Sequence, residues 1–471
     1  MSLSTSPDRF PNKSMGTSLS KVLSVLDKNE RERLSRLAEL IAIPSISTDS
    51  AYDADCTKAA EWLAADLASM GFDARTIPAV GKPYVYAEAI RDPALPTVLF
   101  YGHYDVQPVD PLELWDTDPF VAKIDEGKIV ARGSSDDKGQ VMTFVEACRA
   151  WFQEDGQLPI NVKVIIEGEE ESGSISLAPF LEEHSDLLKA DVALICDTSM
   201  WSSDTPAITM RLRGLVQQEV IISGPSHDLH SGGFGGPVRN PIHVASKIVG
   251  ELHNDQGVIQ VPGFYDGLVD PSEAVLKQWR ELDFSGEEFL AEVGMHVPAG
   301  ESKYSVLEQN WSRPTCDVNG IVGGYIGEGS KTVLPAKASF KISFRLVPGQ
   351  NPARIFANFQ KFVLDRLPAD CRAEFFDHGQ SAALVVPETL PQVKAAQTAL
   401  EAEWGKAPVL MGCGGSIPIA EVFQRDLGIE PLLIGFALDD DRIHSPNEKY
   451  DLKSFNGGTR SWARILEALA A

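Results

Sequence analysis

No run of about eighteen consecutive apolar residues occurs in the chain, so nothing in it reads as a membrane-spanning helix. Basic charge is scarce: 42 lysines and arginines stand against 67 acidic side chains, a formal net charge of -25. A surface this acidic repels phosphate backbones and anionic lipid heads, so neither nucleic acid nor membrane is expected as a partner. Cysteine is sparse too. Cys56, Cys148, Cys196, Cys316, Cys371 and Cys413 are scattered without a CxxC pair, which excludes a disulfide framework and suits reduced thiols in a cytoplasmic protein. Residues 1–18 lack the apolar core of a signal peptide and read as a flexible leader. There is no internal repeat and no long low-complexity segment.

What is present is the composition of a globular protein, 43% hydrophobic and 23% charged. At 471 residues the chain exceeds what one core holds, since single cores stop growing at about 250–300 residues, and two domains are expected. Apolar residues recur at helical spacing from Leu19 to Ile43, closed by Pro44, and again from Lys58 to Met70, closed by Gly71. Beyond that point short apolar runs alternate with helical ones, the pattern of an α/β fold with a mostly parallel sheet and helices on both faces. Residues 208–383 break the pattern with alternating segments such as 338–347, and read as an inserted α+β lid or dimerisation domain. Residues 19–207 and 384–471 then form one catalytic domain around it, with helices expected over Leu390–Trp404 and Gly458–Ala470.

Four apolar runs share one arrangement, a buried strand followed by residues able to bind metal or move protons. Thr97–Tyr101 leads to His103 and Asp105, Val162–Ile166 to Glu169, Glu170 and Glu171, Val192–Ile195 to Asp197, and Pro431–Phe436 to His444. Ligands in open α/β sheets bind beyond the carboxyl ends of the strands, so parallel neighbours would deliver these side chains to one rim. His103 suits a metal ligand whose second ring nitrogen is oriented by Asp105. Asp136 or Asp137, ahead of a helical segment, offers a carboxylate able to bridge two cations, although an N-cap is an equally simple use of such a residue. Three consecutive glutamates need compensating charge, and a dication would let one ligate while its neighbour takes a proton from water. Histidine and carboxylate donors without thiolates suit zinc, with manganese or cobalt as substitutes.

These segments together resemble the M20 metallopeptidases, in the branch of carnosine-type dipeptidases. The resemblance rests on GHYDVQP at 102–108, WDTDPF at 115–120, ARGSSDDKG at 131–139, EEESGS at 169–174, HDLHSGGFGG at 227–236, KTVLP at 331–335, FRLVPGQNP at 344–352, GGSIP at 414–418 and HSPNEKY at 444–450, in order along nearly the whole chain. It implies two zinc ions per subunit bridged by Asp136, with His103 and Asp197 on one and Glu171 and His444 on the other. It implies Glu170 as general base, Asp105 behind His103, and a cis peptide between Asp136 and Asp137. In the insert it implies Arg345 as the grip on the substrate carboxylate, His230 as a carbonyl-polarising group acting across a homodimer, and His378 and Ser416 as pocket residues. His227 has no counterpart and reads as a surface residue. Where many members of this branch carry an Arg-Glu pair, this chain has Gly412 and Cys413.

The function expected is hydrolysis of dipeptides or other small peptides by water activated between two zinc ions. The rivals are an N-acyl amino acid deacylase of the same fold, which would share every ligand, and a catalytically silent metal-binding protein.

Overall fold

A computed structural model describes residues 18–415 and 417–470. The chain divides into two units. One comprises the residues up to Met210, Val386–Met411 and Val422 onward; the other comprises Arg211–Val385 and Gly412–Glu421. The short Gly412–Glu421 segment thus groups with the insert, whereas the sequence reading leaves it in the first domain.

The first unit is built on a twisted sheet whose four central strands are Asn161–Glu167, Thr97–His103, Val192–Ile195 and Glu430–Leu433, in that spatial order. Each is parallel to its neighbour, with Phe100 level with Val164 on one side and Leu194 on the other, and Leu432 level with Leu194. These are the four runs singled out in the sequence. Buried on both faces, they read as continuous apolar stretches rather than alternating ones. Antiparallel strands Tyr84–Ala89 and Asp73–Ile77 extend one edge.

The helix Lys138–Asp155 packs on the sheet and is buried from Lys138 to Trp151. Phe144 stacks on Phe100 with ring centroids 3.9 Å apart, and Trp462 of the closing helix meets both rings edge-on. Such aromatic clusters combine large apolar burial with a preferred geometry. The closing helix runs over Leu452–Ala470, starting earlier than the Gly457-Gly458 pair suggests. The pair is helical because it is packed: a Cβ on Gly457 would meet Trp404 at 2.5 Å and one on Gly458 would meet Phe436 at 2.7 Å. At the amino end the single expected helix is two, Ser18–Lys28 and Glu30–Ile41, divided at Asn29, whose backbone departs from helical dihedrals (φ -102°, ψ 21°) and whose side chain donates to Gln153 at 3.0 Å.

A small three-stranded sheet, Lys449–Asp451, Lys128–Val130 and Lys123–Asp125, fixes the loops of the first unit. Lys449 pairs with Val130, and the amide of Ala131 donates to Glu448 O at 3.0 Å. The segments that carry Asp136 and His444 are thereby side by side.

The second unit is a four-stranded antiparallel sheet in the order Thr315–Gly323, Lys337–Leu346, Gly214–Ser223, Arg372–Ser381. Gly214–Ser223 alternates strictly between buried and half-buried residues, as expected of a sheet with one covered face. Val216, Val220, Ile222, Phe340 and Phe344 join Ile355 and Phe359 of the helix Pro352–Leu364 in its core. No described helix is long and apolar enough to cross a membrane.

Candidate active site

The strand Thr97–His103 ends in a buried imidazole. Gly102 before it lies so close to Val141 and Asp137 that a Cβ would meet them at 2.5 and 2.7 Å, so the strand end reaches the helix Lys138–Asp155 only with glycine there. His103 Nδ1 faces the Asp105 carboxylate at 3.3 Å and its backbone carbonyl at 3.1 Å, while Nε2 faces Asp136 Oδ1 at 3.1 Å. The other oxygen of Asp136 lies 3.0 Å from His444 Nε2, and that nitrogen is 3.1 Å from Glu171 Oε2. Asp197, just past the strand Val192–Ile195, completes the first group. In each of the sets His103, Asp136, Asp197 and Asp136, Glu171, His444, the candidate donor atoms all lie within 4.8 Å of one another.

Asp105 does more than face His103. Its two oxygens accept the amides of Glu170 at 3.3 Å and Glu171 at 3.0 Å, pinning the single turn Glu170–Ser172. The three glutamates are divided by this turn. Glu169 points away and accepts the amide of Ser176 at 3.2 Å, so it is a structural residue, while Glu170 and Glu171 remain with the cluster. The peptide between Asp136 and Asp137 is cis, and the Asp137 carboxylate accepts the His103 amide at 3.1 Å.

Charge in this cluster is unbalanced. Burial, followed by neighbouring carboxylates, pushes the acids of Asp197 and Glu170 up, against the pull of His103. Burial also opposes the charge on Asp136, but hydrogen bonds from His103 and His444 outweigh it and hold that carboxyl below the usual range. The His444 imidazole is pushed up to about 10, first by Asp136 and then by Glu171. A group of acids drawing protons onto two imidazoles is what a cation site offers when only protons are at hand. The donor set fits divalent ions on chemistry as well: two imidazole nitrogens, carboxylate oxygens and no thiolate. Two ligands of one zinc ion, each at about 2.0–2.2 Å from it, stand roughly 3–4 Å apart, the spacing seen here.

Two residues near the cluster escaped the sequence reading. Gln107 donates to Glu171 Oε2 at 2.8 Å, and Glu448 anchors the loop that carries Asp136. Gln107 lies within GHYDVQP, two residues past Asp105, which was its only signal.

The remaining predicted residues belong to the second unit. His230 ends a short strand and caps the turn Ser231–Phe234; its Nδ1 accepts the Gly232 amide at 2.9 Å, so in the neutral ring the proton sits on Nε2. Arg345, half-buried, stands on the central strand Lys337–Leu346 of that sheet, in register between Thr315 and Leu215. His378 lies at the bulge of Arg372–Ser381 with Nε2 3.5 Å from Glu219. His227 is exposed and bonds Ser226. Ser416 lies outside the described residues, as does all but the last residue of the 1–18 leader. Gly412 has a physical reason: a Cβ there would meet the backbone oxygen of Trp311 at 2.6 Å, which leaves no room for an arginine.

The family model for peptidase family M20/M25/M40 matches residues 99–468. The chain belongs to peptidase family M20/M25/M40. It is similar to the Cys-Gly metallodipeptidase DUG1 of Saccharomyces cerevisiae, 32% identical with 96% of this chain and 98% of that protein covered. It is also similar to the human Beta-Ala-His dipeptidase, 31% identical with 96% and 93% covered. Among solved structures, yeast Dug1p matches at 31% identity and a TM-score of 0.76, covering 97% of this chain and 99% of that one. The M20 metallo-carboxypeptidase Sso-CP2 of Sulfolobus solfataricus matches at 30% identity and a TM-score of 0.79, covering 93% and 99%. As a member of M20 the chain is a metallopeptidase, and the four-strand rim is where its candidate ligands meet.

Proposed function

We propose that this M20 enzyme hydrolyses dipeptides and other small peptides, using two divalent ions held by His103, Asp136 and Asp197 and by Asp136, Glu171 and His444. The observation that carries the reading is Asp136, whose two oxygens each face a different imidazole at 3.1 and 3.0 Å. Zinc is the metal the donor set favours. Bound there, such ions would supply Lewis acidity and lower the pKa of water in the site.

The chain's own residues do the rest. Glu170, whose carboxyl is raised by burial ahead of any other cause, accepts a proton from the attacking water and returns it to the leaving nitrogen. Asp105 orients His103 and holds the backbone of Glu170. His230, with its Nε2 proton outward from the bond it accepts at Nδ1, donates to the developing oxyanion from a second copy of the chain in a homodimer. Arg345 receives the terminal carboxylate through its planar fork, and His378 and Ser416 are the further pocket residues that the family resemblance implies. Six reduced cysteines support a cytoplasmic setting.

Replacing Glu170 with Gln tests the core of the reading. Metal content should stay at two ions per chain while kcat falls by about 100- to 10,000-fold, the usual contribution of general acid–base catalysis. Full turnover in E170Q would remove Glu170 from the mechanism. A panel of dipeptides against N-acetyl and N-succinyl amino acids tests the substrate class, and faster cleavage of the acylated compounds would make the enzyme a deacylase.

A further inference from the structure

The loop from Arg442 to Asn447 is an awkward place to mount a ligand. Arg442, His444 and Asn447 all adopt left-handed backbone conformations, with φ of 57, 62 and 62°. Non-glycine residues reach that region only against a steric cost, and a loop with three of them persists only when its surroundings hold it. His444 is itself half-exposed, so packing around its side chain does not supply the restraint.

The restraint is one residue beyond the loop. Glu448 is fully buried, and each of its carboxylate oxygens accepts two hydrogen bonds. Oε2 takes Arg132 Nη1 at 2.8 Å and the Gly133 amide at 3.0 Å; Oε1 takes the Ser135 amide at 2.9 Å and the Asp136 amide at 3.0 Å. All four donors lie in the loop that ends in Asp136. Arg132 is held in turn by the carbonyl of Pro108 at 3.0 Å. A second link runs parallel to the first: Ser135 Oγ donates to Asp441 at 2.7 Å, and Asp441 accepts the Leu438 amide at 2.9 Å and pairs with Lys449 at 2.9 Å.

From this geometry we infer that Glu448 is a positioning residue for the metal centre: it clamps the loop bearing Asp136 to the loop bearing His444, so that one carboxylate is presented to both imidazoles. The inference rests on the metal-centre reading proposed above. It touches no substrate and is not catalytic. Its chemistry is specific to a carboxylate, because four N–H donors converge on two oxygens. In a glutamine the amide nitrogen replaces one oxygen, and an N–H₂ then faces two N–H donors it cannot accept from.

The test uses the full-length apo-protein, titrated with cobalt(II) chloride and followed by visible absorbance, for the wild type, Glu448→Gln, Glu448→Asp and Asp136→Asn. In parallel, backbone amide exchange is read in the 131–139 segment and in the helix Leu452–Ala470. Removing a group that orients metal ligands typically costs about 10- to 100-fold in affinity, and E448Q should lose that much. Its 131–139 amides should exchange faster while the helix is unchanged. A residue that merely stabilised the fold would lower the melting temperature and leave the isotherm where it was. Should E448Q fail to fold, E448D decides: it keeps the charge but is one methylene too short to reach all four donors, and it should titrate more weakly than the wild type. A folded E448Q, or failing that E448D, with the wild-type isotherm overturns the inference. Asp136→Asn separates the two readings: if it titrates as the wild type does, the metal-centre reading itself has failed, whereas weak binding by D136N beside normal binding by E448Q refutes only the clamp.

Discussion

Asp105 is the side chain on which most of the candidate site converges. It is fully buried, faces His103 Nδ1, and accepts two amides from the turn that carries Glu170 and Glu171. Replacing it with Asn keeps the shape but leaves one oxygen where three donors converge. Metal affinity in D105N should fall by about 10- to 100-fold, as for other groups that hold ligands in place. Turnover should fall further than metal loss alone explains, because the turn holding Glu170 loosens at the same time; calorimetric zinc binding and kcat at saturating zinc separate the two effects. Wild-type kcat at saturating zinc would show that the Glu170 turn does not depend on Asp105. At this scale residue type at a strand end was enough to bring His103 and Asp197 into one candidate cluster. Residue type alone could not sort Glu169 from its two neighbours, which only the family resemblance set apart, since three adjacent carboxylates look alike until the turn points one toward the Ser176 amide. Nor could it find Glu448, more than three hundred positions from the amides it accepts, because a residue's role as anchor exists only once the chain has folded.

Elements were legible where hydrophobic periodicity is local and hidden where tertiary packing overrides propensity. The four parallel strands stood out as apolar runs because burial on both faces erases alternation. The start of the closing helix did not, since Gly457 and Gly458 argue against helix in an isolated segment. Their packing makes the opposite substitution informative. Gly458→Ala improves intrinsic helix propensity by about 1 kcal/mol, yet its methyl group would stand 2.7 Å from the ring of Phe436. That ring is fully buried and meets Trp462 edge-on, so it has little room to give. Overpacking of this kind costs about 1–3 kcal/mol, which exceeds the gain in propensity. G458A should therefore be less stable in urea unfolding, and a more stable variant would show that the aromatic cluster can move aside. Gly412 was opaque for the same reason: the place of the missing arginine is explained by the backbone of Trp311, more than a hundred residues earlier.

At the scale of the whole molecule, acidity and metal dependence are one problem. The chain carries a formal net charge of -25, and Glu170, Glu171, Asp136 and Asp197 crowd one rim of a sheet in a unit that also has to bury them. Burial disfavours the charges of Asp136, Asp197 and Glu170; the two imidazoles outweigh it at Asp136, whereas at Asp197 and Glu170 the pull of His103 does not. A divalent ion that binds the folded site and not the unfolded chain stabilises by RT ln(1 + [L]/Kd), about 2.7 kcal/mol for each site at a hundredfold excess over Kd. The melting temperature should then rise steadily with the logarithm of free zinc concentration and drop on addition of a chelator. Ionic strength must be held constant, because sodium chloride also screens the acidic surface. Magnesium discriminates between screening and coordination: as a hard ion that favours oxygen, it should leave the midpoint nearly unchanged at concentrations where zinc raises it. If magnesium and zinc raised it equally, the stabilisation would come from neutralising surface acidity, and the imidazole-bearing rim would not be where the ions act.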